Sequence, residues 1–499
     1  MAVLLPRSRW LGPDFHTQLD ERSAMRGDAP TYPLRSLVNA SRYPYGIRMH
    51  LGPVDKERIA GSFTVIKEPP GPDIPGQQDP AVVARVSAML SDIEKGGLEA
   101  VRRYADELDS FSGDSFEVTP NQVETAVANL PADLREALDA GASRTRRFAE
   151  MQRSHLTDFE AEVIPGVVCG QKYVPVRNVG AYLPAGRFPL LASAFMTVGV
   201  ARAAGVPNMV CCTPPARNGR PHAAVLYAAR ASGAEAIYVL GGVQALAAMA
   251  FGLLDGEPAD MIVGAGNAYV AEAKRQLFGR VGIDVLAGPS EVAVIADDSA
   301  DATTVAADLL AQAEHGPSSP ACLVTTSDRL AAEVPAEIDR QLQGLATRDI
   351  AGAAWRDYGS VYLADTPQTA VEIMDLLAPE HLEILAEDLD FYFHAMHNYG
   401  SLFLGTWSTV AYSDKGMSGT NHTLPTARNA RFTGGLSVSR YLKQLTYQRA
   451  TKEATEAQAN YVVTIADFEG MPGHRDSAQR RLELTAQSGA SELGEAARL

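Results

Sequence analysis

Two Glu-His dipeptides mark this 499-residue sequence: Glu314-His315 in AQAEHGP and Glu380-His381 in APEHLEIL. Downstream come Asp414 in SDKGMSGTNHTLPT and His474 in DFEGMPGH. Four of the ten histidines (His315, His381, His422 and His474) lie in these short segments marked by Gly and Pro. Two neutral imidazoles, an amide oxygen and a carboxylate make a zinc shell, and a second His-Glu pair is then left for proton transfer. Taken singly, each feature has an ordinary reading. A Glu-His dipeptide is commonly a surface helix turn or a satisfied core histidine, and Asp414-Lys415 reads as a solvated loop. Their joint occurrence is what points to chemistry.

Such residues must be held by regular elements. Val82, Val86, Met89, Leu90, Ile93, Leu98, Val101 and Tyr104 recur at helical spacing, interrupted at Gly96-Gly97, and Thr119-Pro120 opens another helix. From Tyr173 onward short apolar runs alternate with Ala-rich helices. Strands are expected at Val179–Leu183, Asn208–Thr213, Ala236–Leu240, Met261–Val263 and Val292–Ala296. Helices are expected at Leu190–Ala204, His222–Ser232, Gln244–Phe251 and Asn267–Phe278. This alternation implies a mainly parallel sheet covered on both faces. A second α/β stretch follows through the helix Asp301–Ala313, the strand Ala321–Thr326, the helix Pro367–Leu377 and the strand Ser401–Leu404. After Gly435 the chain reads as helical and charged, with frayed final residues. No internal repeat is readable, although two α/β halves are a natural division.

Four loops beside these strands carry informative residues. Tyr182 ends a strand in VGAYLPAG with a ring able to stack on a base, and Gly241-Gly242-Val243-Gln244 follows Leu240. Gly264-Ala265-Gly266-Asn267 enters a helix whose first amides suit a phosphate, and Gly288-Pro289-Ser290-Glu291 precedes Val292. The dinucleotide fingerprint is absent, because Tyr269 stands where its third glycine belongs. Tight turns between strands and helices explain the same glycines without a ligand.

The formal charge of −16 argues against nucleic acid or an anionic membrane as the main partner. Cys169, Cys211, Cys212 and Cys322 form no disulfide framework and no CxxC pair. No apolar run is long enough to span a bilayer, and MAVLLPRSRW is too broken for a secretory core, so a reducing, cytoplasmic setting is expected. Residues 1–50 hold seven Arg and no Lys. Asp14, Asp20, Glu21 and Asp28 make them read as a poorly ordered extension rather than a transit peptide.

The motifs VGAYLPAGRFPL, LGGVQALAAMAFG, GAGNAYVAEAKRQ, LAGPSEVAVIAD, DLLAQAEHGP, APEHLEIL, GTNHTLPT and FEGMPGH occur in one consistent order. Through them the chain from about Pro80 to Arg481 resembles the histidinol dehydrogenase family of zinc- and NAD-dependent enzymes. The resemblance implies an α/β fold of two Rossmann-like parallel-sheet halves plus a helical C-terminal segment, assembled as an intertwined homodimer. Residues 51–178 and 291–437 would form the substrate and metal domain with the N-terminal helices, and 179–290 the NAD-binding domain. Residues 438–499 would reach the partner subunit's site. Carried onto matching positions, Tyr182, Gln244 and Asn267 would line the NAD site. Gln312, His315, Asp414 and His474 would bind one zinc ion per subunit. Those four ligands would also contact substrate, together with Ser290, His381 and Glu469, and Glu380 and His381 would be the catalytic pair.

Elementary chemistry agrees with these roles. Gln312 and His315 are three apart on an expected helix and share a face. A metal-free His381 titrating near neutrality suits removal of a hydroxyl proton, and Glu380 suits activation of water for a second oxidation. A thioester route would need a reactive cysteine, and Cys322 in the apolar strand ACLVTT is a poor one. The expected reaction is oxidation of L-histidinol through L-histidinal to L-histidine with two NAD reduced. The alternatives are two-electron oxidation of another small polar alcohol, such as a sulfonated diol, and a non-catalytic metal- and nucleotide-binding relative. Retention of Glu380 and His381 argues against the last. One departure concerns the metal carboxylate: counted back from GTNH without a gap its place falls on Lys415, whereas counted forward from His381 it falls on Asp414, the assignment adopted here.

Overall fold

The computed structural model describes residues 50–70 and 79–496, apart from positions 112, 187, 217–218 and 255. All but His50 of the expected N-terminal extension lies outside the described residues. Two parallel sheets carry the fold. The first runs, in spatial order, Ala236–Val239, Asn208–Thr213, Asn178–Tyr182, Met261–Val263 and Gly282–Ile283. The second runs Gly359–Ala364, Ala321–Thr325, Val292–Ala296, His381–Leu385 and Ser401–Leu404, with Phe63–Lys67 added antiparallel on its edge. Counted within its own half, each sheet has the strand order third, second, first, fourth, fifth. That is the Rossmann order up to its fifth strand, so the two halves are architectural copies even though no repeat is readable in the sequence. Central strands such as VAVIA and ACLVT are buried along their whole length, as strands covered on both faces must be.

Local signals set most element ends. Thr119 closes a capping box with Gln122 at the helix Pro120–Val127. Gly97, at φ 56°, breaks the long helix Pro80–Asp109 where the paired glycines interrupt its pattern. The helix expected at Leu190–Ala204 contains a π-type turn at Phe195–Gly199 between its flanking segments.

The structure revises the organisation in two places. Val86, Met89, Ile93 and Val101 of the helix Pro80–Asp109 share a core with Tyr182, Leu240 and Leu246. The N-terminal helices therefore pack on the five-stranded sheet, not on the half that holds the second sheet. The segment after Gly435 is also not purely helical. Leu442–Ala450 pairs antiparallel with Val167–Pro175, which pairs with Phe159–Ile164 in a third, three-stranded sheet. Its residues LKQLTYQRA are exposed from the second onward, so no inward face imposes an apolar alternation. The helices Lys452–Phe468 and Pro472–Ala496 then form a hairpin, and the chain expected to fray stays helical to Ala496.

Candidate active site

His381 and Val292 are paired first residues of adjacent parallel strands, so Glu380 and Glu291 precede them side by side at the amino ends of the six-stranded sheet. Both carboxyls are buried, and each reaches across to the other's backbone. Glu291 N–H donates to Glu380 Oε2 at 2.9 Å, and Glu380 N–H donates to Glu291 Oε1 at 3.2 Å. Burial, then the neighbouring Glu380 carboxylate, pushes the Glu291 carboxyl up to about 8. His381, 1% exposed, sets Nδ1 at 2.9 Å from the Glu291 carbonyl, which makes Nδ1 the protonated nitrogen of the neutral ring. Nε2 is buried with no hydrogen-bond partner. Burial alone would lower the His381 pKa, but Glu380, with Asp414 and the Glu291 carbonyl adding to its effect, raises it to about 9.

The helix Ala302–Ala313 runs back along the sheet and delivers Gln312 and His315 to this same end. Gln312 is buried, its amide nitrogen 3.4 Å from His381 Nδ1. Asp414 closes the short helix Val410–Asp414, with its Oδ2 3.6 Å from His315 Nε2 and its Oδ1 3.7 Å from His422 Nδ1. Burial would raise the Asp414 carboxyl, yet the bond to His315 and the charges of His422, His381 and Lys415 hold it far below the ordinary carboxylate range. Burial lowers His422 to about 4, and its Nε2 is 3.2 Å from Ser193 Oγ.

Ligand atoms on a tetrahedral ion with bonds of about 2.0–2.1 Å lie ~3.4 Å apart, so the His315–Asp414 separation of 3.6 Å fits two donors to one zinc. Among the described residues no group of three or more His, Cys, Asp or Glu is drawn tightly enough to hold an ion by itself. The structure thus brings Gln312, His315, Asp414, Glu380 and His381 together, with half-buried Ser290 one residue before Glu291. It does not bring Glu469 and His474 to them. Both are exposed at the turn of the C-terminal hairpin. Lys415, in contrast with Asp414, points largely into solvent, its Nζ 3.9 Å from Asp414 Oδ2.

The cofactor candidates lie at the carboxyl ends of the five-stranded sheet, where strand order reverses between Asn178–Tyr182 and Met261–Val263. Tyr182 is buried rather than open for stacking, and its hydroxyl accepts from Gly242 N–H at 3.2 Å. Gln244 donates to Asp109 Oδ2 at 2.9 Å, while its buried Oε1 has no partner. Asn267 caps the helix Ala268–Leu277 through the amides of Tyr269 and Val270, which removes two of the donors expected for a phosphate. Gly264 has φ 118°, and a Cβ there would sit 2.2 Å from the Tyr182 carbonyl oxygen, so only glycine fits. Its N–H donates to Asp284 at 2.7 Å and its carbonyl accepts from Lys274 at 3.0 Å, and Lys274 and Asp284 form a buried ion pair beneath the loop.

Sequence reasoning passed over Glu291, Asp109, Lys274 and Asp284. Glu291 had a readable signal, an acid directly before a fully apolar strand. The buried Cys322 thiol is pushed up to about 12 by its surroundings, which removes it as a nucleophile.

Two Rossmann-order sheets, with a buried His-Glu pair at the amino end of one and glycine turns at the carboxyl end of the other, are the build of a nucleotide-linked α/β enzyme. Residues 74–482 match the profile of the histidinol dehydrogenase family. A histidinol dehydrogenase homolog of Shouchella clausii is 47% identical over 80% of this chain and 93% of its own. Sulfopropanediol 3-dehydrogenase of Ruegeria pomeroyi is 46% identical over 80% of this chain and 91% of its own. The crystal structure of histidinol dehydrogenase from Elizabethkingia anophelis superposes with a TM-score of 0.76 at 34% identity, covering 80% of this chain and 92% of that one. The chain belongs to the histidinol dehydrogenase family, whose members are NAD-dependent oxidoreductases. Among the described residues no helix is long and apolar enough to cross a membrane.

Proposed function

We propose that this chain is a zinc-dependent, NAD-linked dehydrogenase of a small polar alcohol. The observation that carries the reading is His381, whose Nδ1 is committed to the Glu291 carbonyl while buried Nε2 has no partner. A neutral imidazole in that state is a base held at one atom, and Nε2 takes the proton of the substrate hydroxyl. Glu380 lies 3.4 Å from His381 Nδ1 and stabilises the imidazolium that results. In a second oxidation the same carboxylate activates water for attack on the aldehyde. Gln312, His315 and Asp414 would hold zinc, which supplies charge stabilisation at the alcohol oxygen. Tyr182, Gln244 and Asn267 would line the site of NAD, which would supply the hydride acceptor.

The fourth zinc ligand in this reading is His474 of a second copy, with Glu469 beside it on substrate. Tyr461, Val462, Ile465 and Phe468 form a helical stripe on the hairpin that is largely exposed, Phe468 to 95%. An unburied apolar stripe of this kind supports pairing with another chain as a homodimer. The cysteines, whose spacing gives neither a disulfide framework nor a CxxC pair, fit a reducing cytoplasm.

Oxidation of L-histidinol to L-histidine, with two NAD reduced, is the first reading of the substrate. A sulfonated diol is the second, and it is favoured by Lys415. An exposed ammonium 3.9 Å from Asp414 attracts an anionic substituent and repels the ammonium of an amino alcohol. The kinship to sulfopropanediol 3-dehydrogenase leans the same way. NADH formation over a panel of amino alcohols and sulfonated diols tests both, with the NADH yield per alcohol counted. Two NADH from histidinol establishes the first reading, and one NADH from the diol alone establishes the second. No NADH from any polar alcohol by zinc-loaded protein refutes the proposal.

A further inference from the structure

Three elements supply the metal and base residues of the proposed site, and the same three meet a second time deeper in the fold. The strand His381–Leu385 carries His381 and, two residues on and therefore on the same face, Glu383. The helix Ala302–Ala313 carries Gln312 and, one helical repeat earlier, Asp308. The short helix Val410–Asp414 ends in Asp414 and begins after Thr409. At this second meeting Glu383 is fully buried, and its Oε1 accepts from Val410 N–H at 2.7 Å. Asp308 Oδ1 accepts from Thr409 Oγ1 at 3.0 Å. The two carboxyls thus meet at the Thr409–Val410 junction, and each acts on the other's titration. Thr409, at the N-cap position, makes no side-chain bond to its own helix.

We propose that Asp308 and Glu383 are positioning residues that clamp the start of the helix Val410–Asp414 and thereby fix Asp414 opposite His315. The inference rests on the reading of Asp414 as a metal ligand. A five-residue helix has no stability of its own, so its placement comes from whatever grips its ends. Here both grips are acids drawn from the elements that bear Gln312 and His381, so the three site residues are set in register by one network. Glu383 Oε2 is buried and finds no N–H or hydroxyl donor. A proton shared between the two carboxyls satisfies that oxygen and removes the repulsion of adjacent buried charges. The elevated pKa values of both carboxyls, caused by burial first and for Glu383 by Asp308 next, agree.

Glu383→Gln tests the shared proton, because an amide keeps an acceptor for Val410 N–H and offers a donor to Asp308. Glu383→Leu removes the grip at similar volume. Amide hydrogen exchange of 410–415 is read by mass spectrometry, and zinc retention by competition against a chelator, alongside the KM for NAD. The expected result is near wild-type exchange and zinc retention for Glu383→Gln. For Glu383→Leu, faster exchange confined to 410–415 is expected, with zinc held about 10–100-fold less tightly, the usual effect of removing support behind a ligand, and an unchanged KM for NAD. Asp308→Ala, which removes the acceptor for Thr409 Oγ1, provides a second test of the clamp if Glu383→Leu does not fold. Slow exchange and full zinc retention in a folded Glu383→Leu or Asp308→Ala protein overturns the clamp, and equal damage from Gln and Leu overturns the shared proton. If wild-type protein never retains zinc, the metal reading fails, while the exchange measurement still decides the clamp.

Discussion

Replacing Lys274 by Met should be among the most damaging single changes outside the proposed catalytic cluster. The Lys274 and Asp284 side chains are 3% and 0% exposed, and together they hold both hydrogen-bonding groups of Gly264. Removing the ammonium leaves the Asp284 carboxylate buried beside a carbonyl that has lost its donor. Breaking a buried ion pair on one side costs about 3–5 kcal/mol. The loss already includes the charge-assisted bond to Gly264, whose own share is ~1.5–3 kcal/mol, so the two figures do not add. Replacing both residues, as Lys274→Met/Asp284→Leu, removes the unpaired charge. Stability should then return to within about 1–2 kcal/mol of wild type, since apolar substitutes for buried pairs are often neutral. The glycine loop stays unheld, however, because Met and Leu cannot replace the bonds at Gly264. The double variant should therefore be stable yet show a raised KM for NAD with an unchanged KM for the alcohol. Urea unfolding followed by far-UV circular dichroism gives the first quantity and steady-state kinetics the second. A Lys274→Met protein within 1 kcal/mol of wild type would refute the reasoning, as would a stable double variant with normal NAD kinetics.

Asp414→Ala should lose zinc on dialysis whereas Lys415→Ala keeps it, as metal analysis will show, and the reverse result would move the ligand to Lys415. Mixing inactive His381→Ala and His474→Ala subunits should restore activity if sites are shared, because one site in each heterodimer then carries neither lesion. Alcohol oxidation should rise with pH as His381 loses its proton near about 9, and Glu380→Gln should move that limb to lower pH, since Glu380 is the main influence raising it. Glu291 has a folded pKa raised to about 8 from the ordinary 4.5, so its contribution to stability is present in full below 4.5 and lost as pH rises through 8. Glu291→Gln should flatten that fall in the pH dependence of Tm, and an unchanged slope would count against a protonated Glu291.

Legibility in the sequence followed burial. Strands enclosed on both faces, such as Val292–Ala296 and Asn208–Thr213, are continuous apolar runs and lie where the pattern puts them. The strands Phe159–Ile164 and Leu442–Ala450 escape notice because their residues are nearly all exposed and no inward face writes a period of two. Site residues on short motifs were readable for the same reason: Gln312 and His315 share one helix face, and Glu380-His381 opens a buried strand. Partners supplied from far along the chain left no local trace. Asp109, which holds Gly241 N–H and Gln244 from 132 and 135 residues away, is one such case, and Asp308 against Glu383 is another. The doubled sheet order is likewise invisible in sequence, because parallel strands pair through backbone groups that any apolar residue supplies.

The helix Ala302–Ala313 ends, rather than begins, at the proposed metal site, with Gln312 in its last turn and His315 just beyond. Its aligned peptide dipoles leave the equivalent of about half a negative charge at that end. Asp414 and Glu380 add formal charge there. Before any cation arrives, the carboxylates and the helix end therefore favour a divalent ion over an anionic group, with the exposed Lys415 ammonium the opposing charge nearby. On the zinc reading, a metal loaded first would reverse that local field for the substrate that follows. An anionic alcohol would then be bound in a fixed order, with zinc before substrate, set by the direction in which one helix runs.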